Sequence, residues 1–256
     1  MNPSTIYLVS GSNRGLGLGL VTHILANRPA AFVYAGVRSP EKMSALTELS
    51  GKYPGRLEVV KLVSADVEGN QAVANIIEAR HGRVDTVIAN AGIGTTLATV
   101  SEVNIASLED HFHVNVAGTI VLFQAMYGLL KKSAVPRFVP ISNAGAGLGG
   151  KGITRPLGNV LYGATKAALN WATRKIHFEN DWLVTFPVSP GPMDTDMYRN
   201  IISTDTIGFF KKWAEANPDI PSVETVSGSL LSIIDESTRE KEGGQFVHID
   251  GTRLPW

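Results

Sequence analysis

The stretch Ile6-Tyr7-Leu8-Val9-Ser10-Gly11-Ser12-Asn13-Arg14-Gly15-Leu16-Gly17-Leu18-Gly19 decides the architecture. A short apolar run ends at Val9, glycines recur at 11, 15, 17 and 19, and a helical pattern continues towards Leu25. Glycine permits a tight turn and lets backbone approach an anion, while free N–H groups and the dipole at a helix start favour negative charge. In a chain with 26 glycines such a cluster alone is weak, because ordinary turns use the same residue. Its place between an N-terminal strand and a helix makes it a candidate pyrophosphate-binding turn.

Outward from this turn the same alternation repeats. Short runs rich in branched residues at 6–9, 31–35, 57–63, 84–89, 138–141, 183–188 and 246–249 are separated by longer amphipathic or alanine-rich stretches. Strands of a parallel sheet are covered on both faces and therefore read as continuous apolar runs, as most of these do. The pattern predicts an α/β Rossmann fold, a doubly wound, mostly parallel seven-stranded sheet flanked by helices. No repeat, low-complexity block or Pro/Ser-rich linker divides the 256 residues, so a single domain spanning 1–256 is expected. The least regular stretch, 195–222, carries Met197, Tyr198, Ile201, Ile202, Phe209, Phe210 and Trp213 among polar residues. It reads equally as an amphipathic helix pair packed on the core and as an apolar lid over a substrate.

Charge narrows the partners. Lys plus Arg (23) balance Asp plus Glu (23), so no chain-wide field favours nucleic acid or an anionic membrane, and a small, near-neutral metabolite is the expected partner, a hydrophobic one by the apolar residues of 195–222. The start lacks a basic patch followed by an apolar run, and no stretch reads as the roughly 20 apolar residues of a membrane helix, which predicts a soluble, cytoplasmic protein. The absence of cysteine excludes disulfides and thiolate chemistry. Of six histidines, His111 and His113 are close, but their offset of two does not suit paired metal ligands, and no metal is expected. No G-x-S-x-G elbow supports a Ser-His-Asp hydrolase.

Two features address a nucleotide and its chemistry. The second strand ends Ala35-Gly36-Val37-Arg38, without the acidic side chain that would hold a ribose 2′-hydroxyl, and Arg38 and Arg14 are placed to meet a 2′-phosphate, favouring NADP(H) over NAD(H). Tyr162-Gly163-Ala164-Thr165-Lys166 opens an alanine-rich helical segment, and the four-residue offset puts phenol and ammonium on one helix face. A nearby cation favours the phenolate and is expected to lower the tyrosine pKa from its usual value of about 10, suiting Tyr162 to proton transfer at a carbonyl oxygen. Spacing alone does not discriminate, since Tyr127 and Lys131 repeat it; that pair is expected on a packing helix.

The surrounding motifs do discriminate. Ser10-Gly11 with Gly15 and Gly17 resembles the T-G-x-x-x-G-x-G turn of the classical short-chain dehydrogenase/reductase family, with serine for threonine. Ile88-Ala89-Asn90-Ala91-Gly92 resembles its N-N-A-G, Asn115 its helix asparagine, Tyr162/Lys166 its Y-x-x-x-K, and Pro190-Gly191-Pro192-Met193-Asp194-Thr195 its P-G-x-x-x-T, while Asp66-Val67 matches its adenine-side pair. The likeness spans the chain in order, and the Ser12-Asn13-Arg14-Gly15 wording with the tail 246–256 is similar to fungal norsolorinic-acid-ketoreductase-like members. It implies that Gly11, Asn13, Arg14, Gly15, Leu16, Gly17, Arg38, Asp66, Val67, Asn90, Ala91, Gly92, Pro190, Gly191, Met193 and Thr195 surround NADP(H). It also implies that Lys166 binds the nicotinamide ribose, Asn115 holds a relay water, Asn90 braces the central strands and Thr195 meets the carboxamide. Dimers or tetramers are common in the family.

One departure stands out. The family's serine beyond the fifth strand, which hydrogen-bonds the substrate oxygen, falls on Asn143, with Ser142 one residue early and so expected on the opposite face. Either the loop shifts so that Ser142 serves, or the Asn143 amide donates instead, or carbonyl reduction is impaired. The expected function is NADPH-dependent reduction of a carbonyl or imine on a hydrophobic small molecule, such as a secondary metabolite. The alternatives are a non-redox cyclase or isomerase on a reductase scaffold, and a nucleotide-sensing protein without turnover.

Overall fold

The computed structural model describes residues 5–41, 43–94 and 97–256. Strands β1 (Thr5–Ser10), β2 (Ala31–Val37), β3 (Leu57–Lys61) and β4 (Thr86–Ala89) alternate with helices α1 (Gly15–Asn27), α2 (Ser44–Lys52) and α3 (Val67–His81). Next come α4 (Ile105–Phe112), a π-helical turn (His113–Ala117), α5 (Gly118–Leu130), β5 (Arg137–Pro140), a 3₁₀ turn (Ala144–Ala146) and α6 (Val160–Glu179). The chain continues through β6 (Val184–Thr185), β7 (Val188–Ser189), α7 (Asp196–Thr204), α8 (Phe209–Ala216), α9 (Val223–Glu236) and β8 (Val247–His248).

All strand pairings between these named strands are parallel, and the main sheet runs β3-β2-β1-β4-β5-β6. The expected seventh strand does not join it: the main sheet has six strands, and β7 and β8 form a separate parallel pair. Proline is the cause. Pro140 and Pro187 lack the N–H groups that would continue the β5–β6 ladder, which goes on as the bridge between Ile141 and Val188.

The period-two alternation of the strands divides the core. From β1, Tyr7 and Val9 pack with Leu20, Ile24, Leu230 and Ile234 on the α1/α9 face, while Ile6 and Leu8 pack with Val73, Ile77, Leu122 and Met126 on the α3/α5 face. The helical run 105–130 is, by length and composition, apolar enough to cross a bilayer, which the sequence reading did not anticipate. Its apolar character is that of a core element: α5 buries Leu122, Met126, Leu129 and Leu130 against α3 and the sheet.

Strand order reverses between β1 and β4, and at such a switch point the loops beyond the strand ends diverge to leave a crevice. The turn 11–14 and the loop 90–94 both open there.

Candidate functional site

The turn after β1 is held by its neighbour across the switch point. The Asn90 side-chain amide donates to the carbonyls of Ser10 (2.9 Å) and Gly11 (3.3 Å), and the Ser10 hydroxyl accepts from the backbone N–H groups of Asn90 (3.0 Å) and Ala91 (2.9 Å). Asn90 thus braces the two central strand ends. Gly11 has φ +69°, and a Cβ on Gly17 would lie 2.1 Å from the Gly11 carbonyl oxygen. No side chain caps α1 and its first turn has no acid, whereas Asp66, Asn104, Thr195 and Ser222 cap α3, α4, α7 and α9. Helices α2, α5, α6 and α8 are uncapped too; what sets α1 apart is that its free amides adjoin the glycine turn at the switch point, where they suit a dinucleotide phosphate. Leu16 and Gly17 are buried beneath this turn, and Asn13 and Arg14 are exposed above it.

The other cofactor candidates divide into groups. Arg38 is exposed at the end of β2, without an ion pair among the described residues. Arg14 is already engaged, its guanidinium 3.2 Å from Asp196 at the start of α7, and Arg199 bridges Asp194 and Asp196. Asp66 accepts from Gly69 N–H (3.0 Å) as the cap of α3, with Val67 64% exposed beside it. Ala65 just before them holds φ +60°, a left-handed backbone unusual for a non-glycine residue. Pro190 is buried, Gly191 has φ +71°, and the Met193 side chain belongs to the core. Thr195 caps α7 through its hydroxyl (3.2 Å to Tyr198 N–H), its methyl lying 3.6 Å from where a Cβ on Gly15 would be. A groove of about 500 Å³ between α1 and α9 touches Gly15 and Thr195, and none of the catalytic candidates lines it.

At the other end of the crevice, α6 and the π-helical turn converge. Lys166 is 3% exposed, its Nζ donates to the Ile141 carbonyl (2.7 Å), and it lies 5.5 Å from the Tyr162 ring centre. Asn115 sits fully buried in the π-helical turn, a distortion frequent at functional positions. Its carboxamide exchanges hydrogen bonds with the Ile93 backbone (2.8 and 2.9 Å) and donates to Thr165 Oγ1 (3.1 Å). A Cβ on Gly92 would lie 3.1 Å from Asn115 Oδ1 and 3.6 Å from Lys166 Nζ, and one on Gly94 would lie 3.0 Å from the Tyr162 ring and 3.5 Å from Met197 Sδ. Glycines at 92 and 94 thus keep open the space that phenol, ammonium and carboxamide share. Thr165, buried and ordering Asn115, escaped the sequence reading; nothing but its place inside the Tyr-Lys motif marks it.

Electrostatics departs from the expectation that lysine acidifies tyrosine. Burial pushes the Tyr162 phenol up to about 12 and the Lys166 ammonium down to about 8. Desolvation disfavours the charged form of each, and the ammonium is directed at the Ile141 carbonyl.

The serine question has a geometric answer. Ser142 is 1% exposed and its hydroxyl donates to Asn170 Oδ1 (2.5 Å), a bond between β5 and α6 that turns it away from the crevice. The Ser142 hydroxyl proton is thereby engaged within the fold, in keeping with the strand parity that sets it opposite Asn143. Asn143 is partly exposed; its Oδ1 accepts from Gly145 N–H (2.8 Å), which leaves its NH₂ as the available donor. Tyr127 and Lys131 repeat the geometry elsewhere: the ammonium is 5.1 Å from the ring centre, but the ring packs on Phe123 and Trp182.

Similarity to known proteins identifies the family. The short chain dehydrogenase family model matches residues 5–206. The norsolorinic acid ketoreductase nor1 of Dothistroma septosporum is 37% identical, covering 98% of this chain and 92% of its own. The norsolorinic acid ketoreductase of Aspergillus parasiticus is 34% identical, covering 98% and 91%. Among solved structures, the NADPH-bound carbonyl reductase from chicken fatty liver matches with a TM-score of 0.81 at 25% identity, with both chains covered in full. The uncapped glycine turn at the switch point suits a nicotinamide dinucleotide, and the phenol, ammonium and carboxamide at the far end of the same crevice suit reduction of a carbonyl on a small molecule. The chain is an oxidoreductase and belongs to the short-chain dehydrogenase/reductase family, alongside its fungal norsolorinic-acid-ketoreductase-type members.

Proposed function

We propose that the protein uses NADPH to reduce a carbonyl, or the isosteric C=N group, of a hydrophobic small molecule such as a secondary metabolite. The observation that carries this reading is the cluster of Tyr162, Lys166 and Asn115 around the space kept open by Gly92 and Gly94, at the far end of a crevice whose other end is the uncapped α1 turn.

When bound, the cofactor supplies hydride to the substrate carbon. Tyr162, held protonated by burial, donates its phenolic proton to the substrate oxygen. Lys166, kept in place by the Ile141 carbonyl, stabilises the phenolate that results and orients the nicotinamide ribose. Asn115 fixes the Ile93 backbone and holds a relay water, and the Asn143 NH₂ polarises the substrate oxygen in place of a serine hydroxyl. Exposed Arg38 binds the 2′-phosphate. Arg14 joins it, since the exposed, solvent-screened pair Arg14–Asp196 is weak and yields to a dianion.

Residues 195–222 form the substrate lid of a single domain spanning 1–256. In support, α7 and α8 are amphipathic helices without a fully buried residue, and Met197 Sδ and the Tyr162 ring both lie beside Gly94. Buried Asp205 ties their junction by accepting from the N–H groups of Ile207, Gly208 and Lys211. Exposed Ile105 and Phe112 on α4 and Trp171 and Phe178 on α6 support a homo-oligomer, a dimer or tetramer. The cytoplasm is the proposed location, on composition alone.

Four outcomes test the reading. Replacing Tyr162 by Phe lowers the kcat of ketone reduction by on the order of 10²-fold or more, and near-native turnover would remove the tyrosine from the chemistry. In fluorescence titrations NADPH binds more tightly than NADH, and Arg38→Ala narrows the difference; equal affinities in the native protein refute the 2′-phosphate assignment. Lys166 carries its proton below about pH 8 and loses it above, while Tyr162 stays protonated to about 12, so kcat/KM for reduction falls as pH rises through about 8. A profile flat to pH 10 contradicts the role of the ammonium. Asn143→Ser keeps kcat within about tenfold of native, because a hydroxyl also donates; a far larger gain favours the non-redox cyclase or isomerase.

A further inference from the structure

We infer that Pro255 and Trp256 are positioning residues of the active site, which hold the glycine-rich loop 144–152 against the catalytic helix. The inference rests on the carbonyl-reductase reading for its effect on rate, and on geometry for the contact itself.

Beyond β8 the chain turns at Gly251 (φ +83°) and runs back along its own strand. His248 N–H donates to Thr252 (2.8 Å), Leu254 N–H donates to Phe246 (2.7 Å), and Val247 pairs antiparallel with Arg253. This delivers Pro255 and Trp256 to the loop that follows Asn143. Gly149 N–H donates to the Trp256 carbonyl (2.6 Å). A Cβ on Gly147 would lie 2.4 Å from the Pro255 carbonyl oxygen, and one on Gly149 would lie 3.2 Å from the Trp256 oxygen. The first distance is shorter than any side chain tolerates against backbone, so glycine at 147 is a condition of the tail's approach.

The contact reaches the site by two routes. Within the loop, a Cβ on Gly152 would lie 2.9 Å from Gly145 Cα, so the segment folds back on Gly145, whose N–H holds Asn143 Oδ1. Gly145 also faces α6, its carbonyl oxygen 3.8 Å from where a Cβ on Gly163, next to Tyr162, would be. Along α6, the Arg174 guanidinium stacks 4.5 Å from the Trp256 ring centre, and that ring lies 5.9 Å from buried Phe246. One aromatic side chain thus joins β8, and its backbone joins the loop, to the helix carrying Tyr162 and Lys166. The run of glycines at 145, 147, 149, 150 and 152 would be entropically free by itself; the tail gives it a fixed surface to lie on.

The test compares the native protein with a chain lacking Pro255 and Trp256, with Trp256→Ala and with Trp256→Phe. A displaced catalytic group costs rate steeply, so kcat for ketone reduction is expected to fall about tenfold or more in the shortened chain and in Trp256→Ala. NADPH affinity stays within about twofold, and Trp256→Phe, which keeps a ring for Phe246 and Arg174, recovers most of the rate. Amide hydrogen exchange across 144–152 speeds up in the first two variants, a readout independent of any reaction. Should the native protein turn over no ketone, the carbonyl-reductase reading fails while exchange still reports the tail's hold. Unchanged exchange, an unchanged kcat in an active enzyme, a loss not restored by Trp256→Phe, or an equal loss of NADPH affinity each overturns the inference. If the shortened chain does not fold, Trp256→Ala carries the comparison, because it keeps the backbone bond to Gly149.

Discussion

The approach of the turn after β1 to the loop after β4 is the constraint from which the site follows. Strand order reverses between these two strands, so the crevice exists only if their loops stay close without side chains filling it. Asn90 achieves this with one carboxamide bonded to the Ser10 and Gly11 carbonyls, and the Ser10 hydroxyl returns the favour to the Asn90 and Ala91 amides. Gly11, Gly17 and Gly92 are the positions where a methyl group would meet neighbouring backbone or the catalytic polar groups. Removing the carboxamide would splay the crevice, and adding the missing Cβ atoms would close it.

The catalytic end is built differently, by burial. Lys166 is almost wholly desolvated, and its ammonium is tied to a strand-end carbonyl rather than to an acid. Desolvation then acts on phenol and ammonium in opposite directions, keeping the first neutral and bringing the second near physiological pH. This environment favours a neutral phenol over a preformed phenolate. The π-helical turn places Asn115 where it can order both the Ile93 backbone and Thr165.

Mobile-looking sequence proves to be anchored from a distance. The glycine-rich loop rests against the returning tail, and Ile207, between α7 and α8, comes within 2.6 Å of the Cβ position of Gly158 in the segment leading to α6. Arg155 stacks 5.5 Å from the Phe209 ring. The glycine-rich loop, the α7–α8 segment and the tail therefore bear on the same stretch between β5 and α6.

The sequence by itself determined the alternation of strands and helices, the glycine turn after β1, the placing of Tyr162 and Lys166 on one helix, and the family. Each of these is a local pattern: apolar periodicity, glycine spacing and a four-residue helical offset are set by neighbours along the chain. It also placed Ser142 on the face opposite Asn143, since strand parity is local. Tertiary structure alone decided the count of strands in the main sheet, where Pro140 and Pro187 face each other across one ladder and interrupt it. It alone decided the sense of the tyrosine's pKa, because desolvation depends on what packs around a group and not on what lies four residues away. The engagement of Arg14 by Asp196, the ordering of Asn115 by Thr165 and the clamp of Trp256 on Gly149 join residues 182, 50 and 107 positions apart. No periodicity in the chain encodes such distances; only the folded packing brings these groups together.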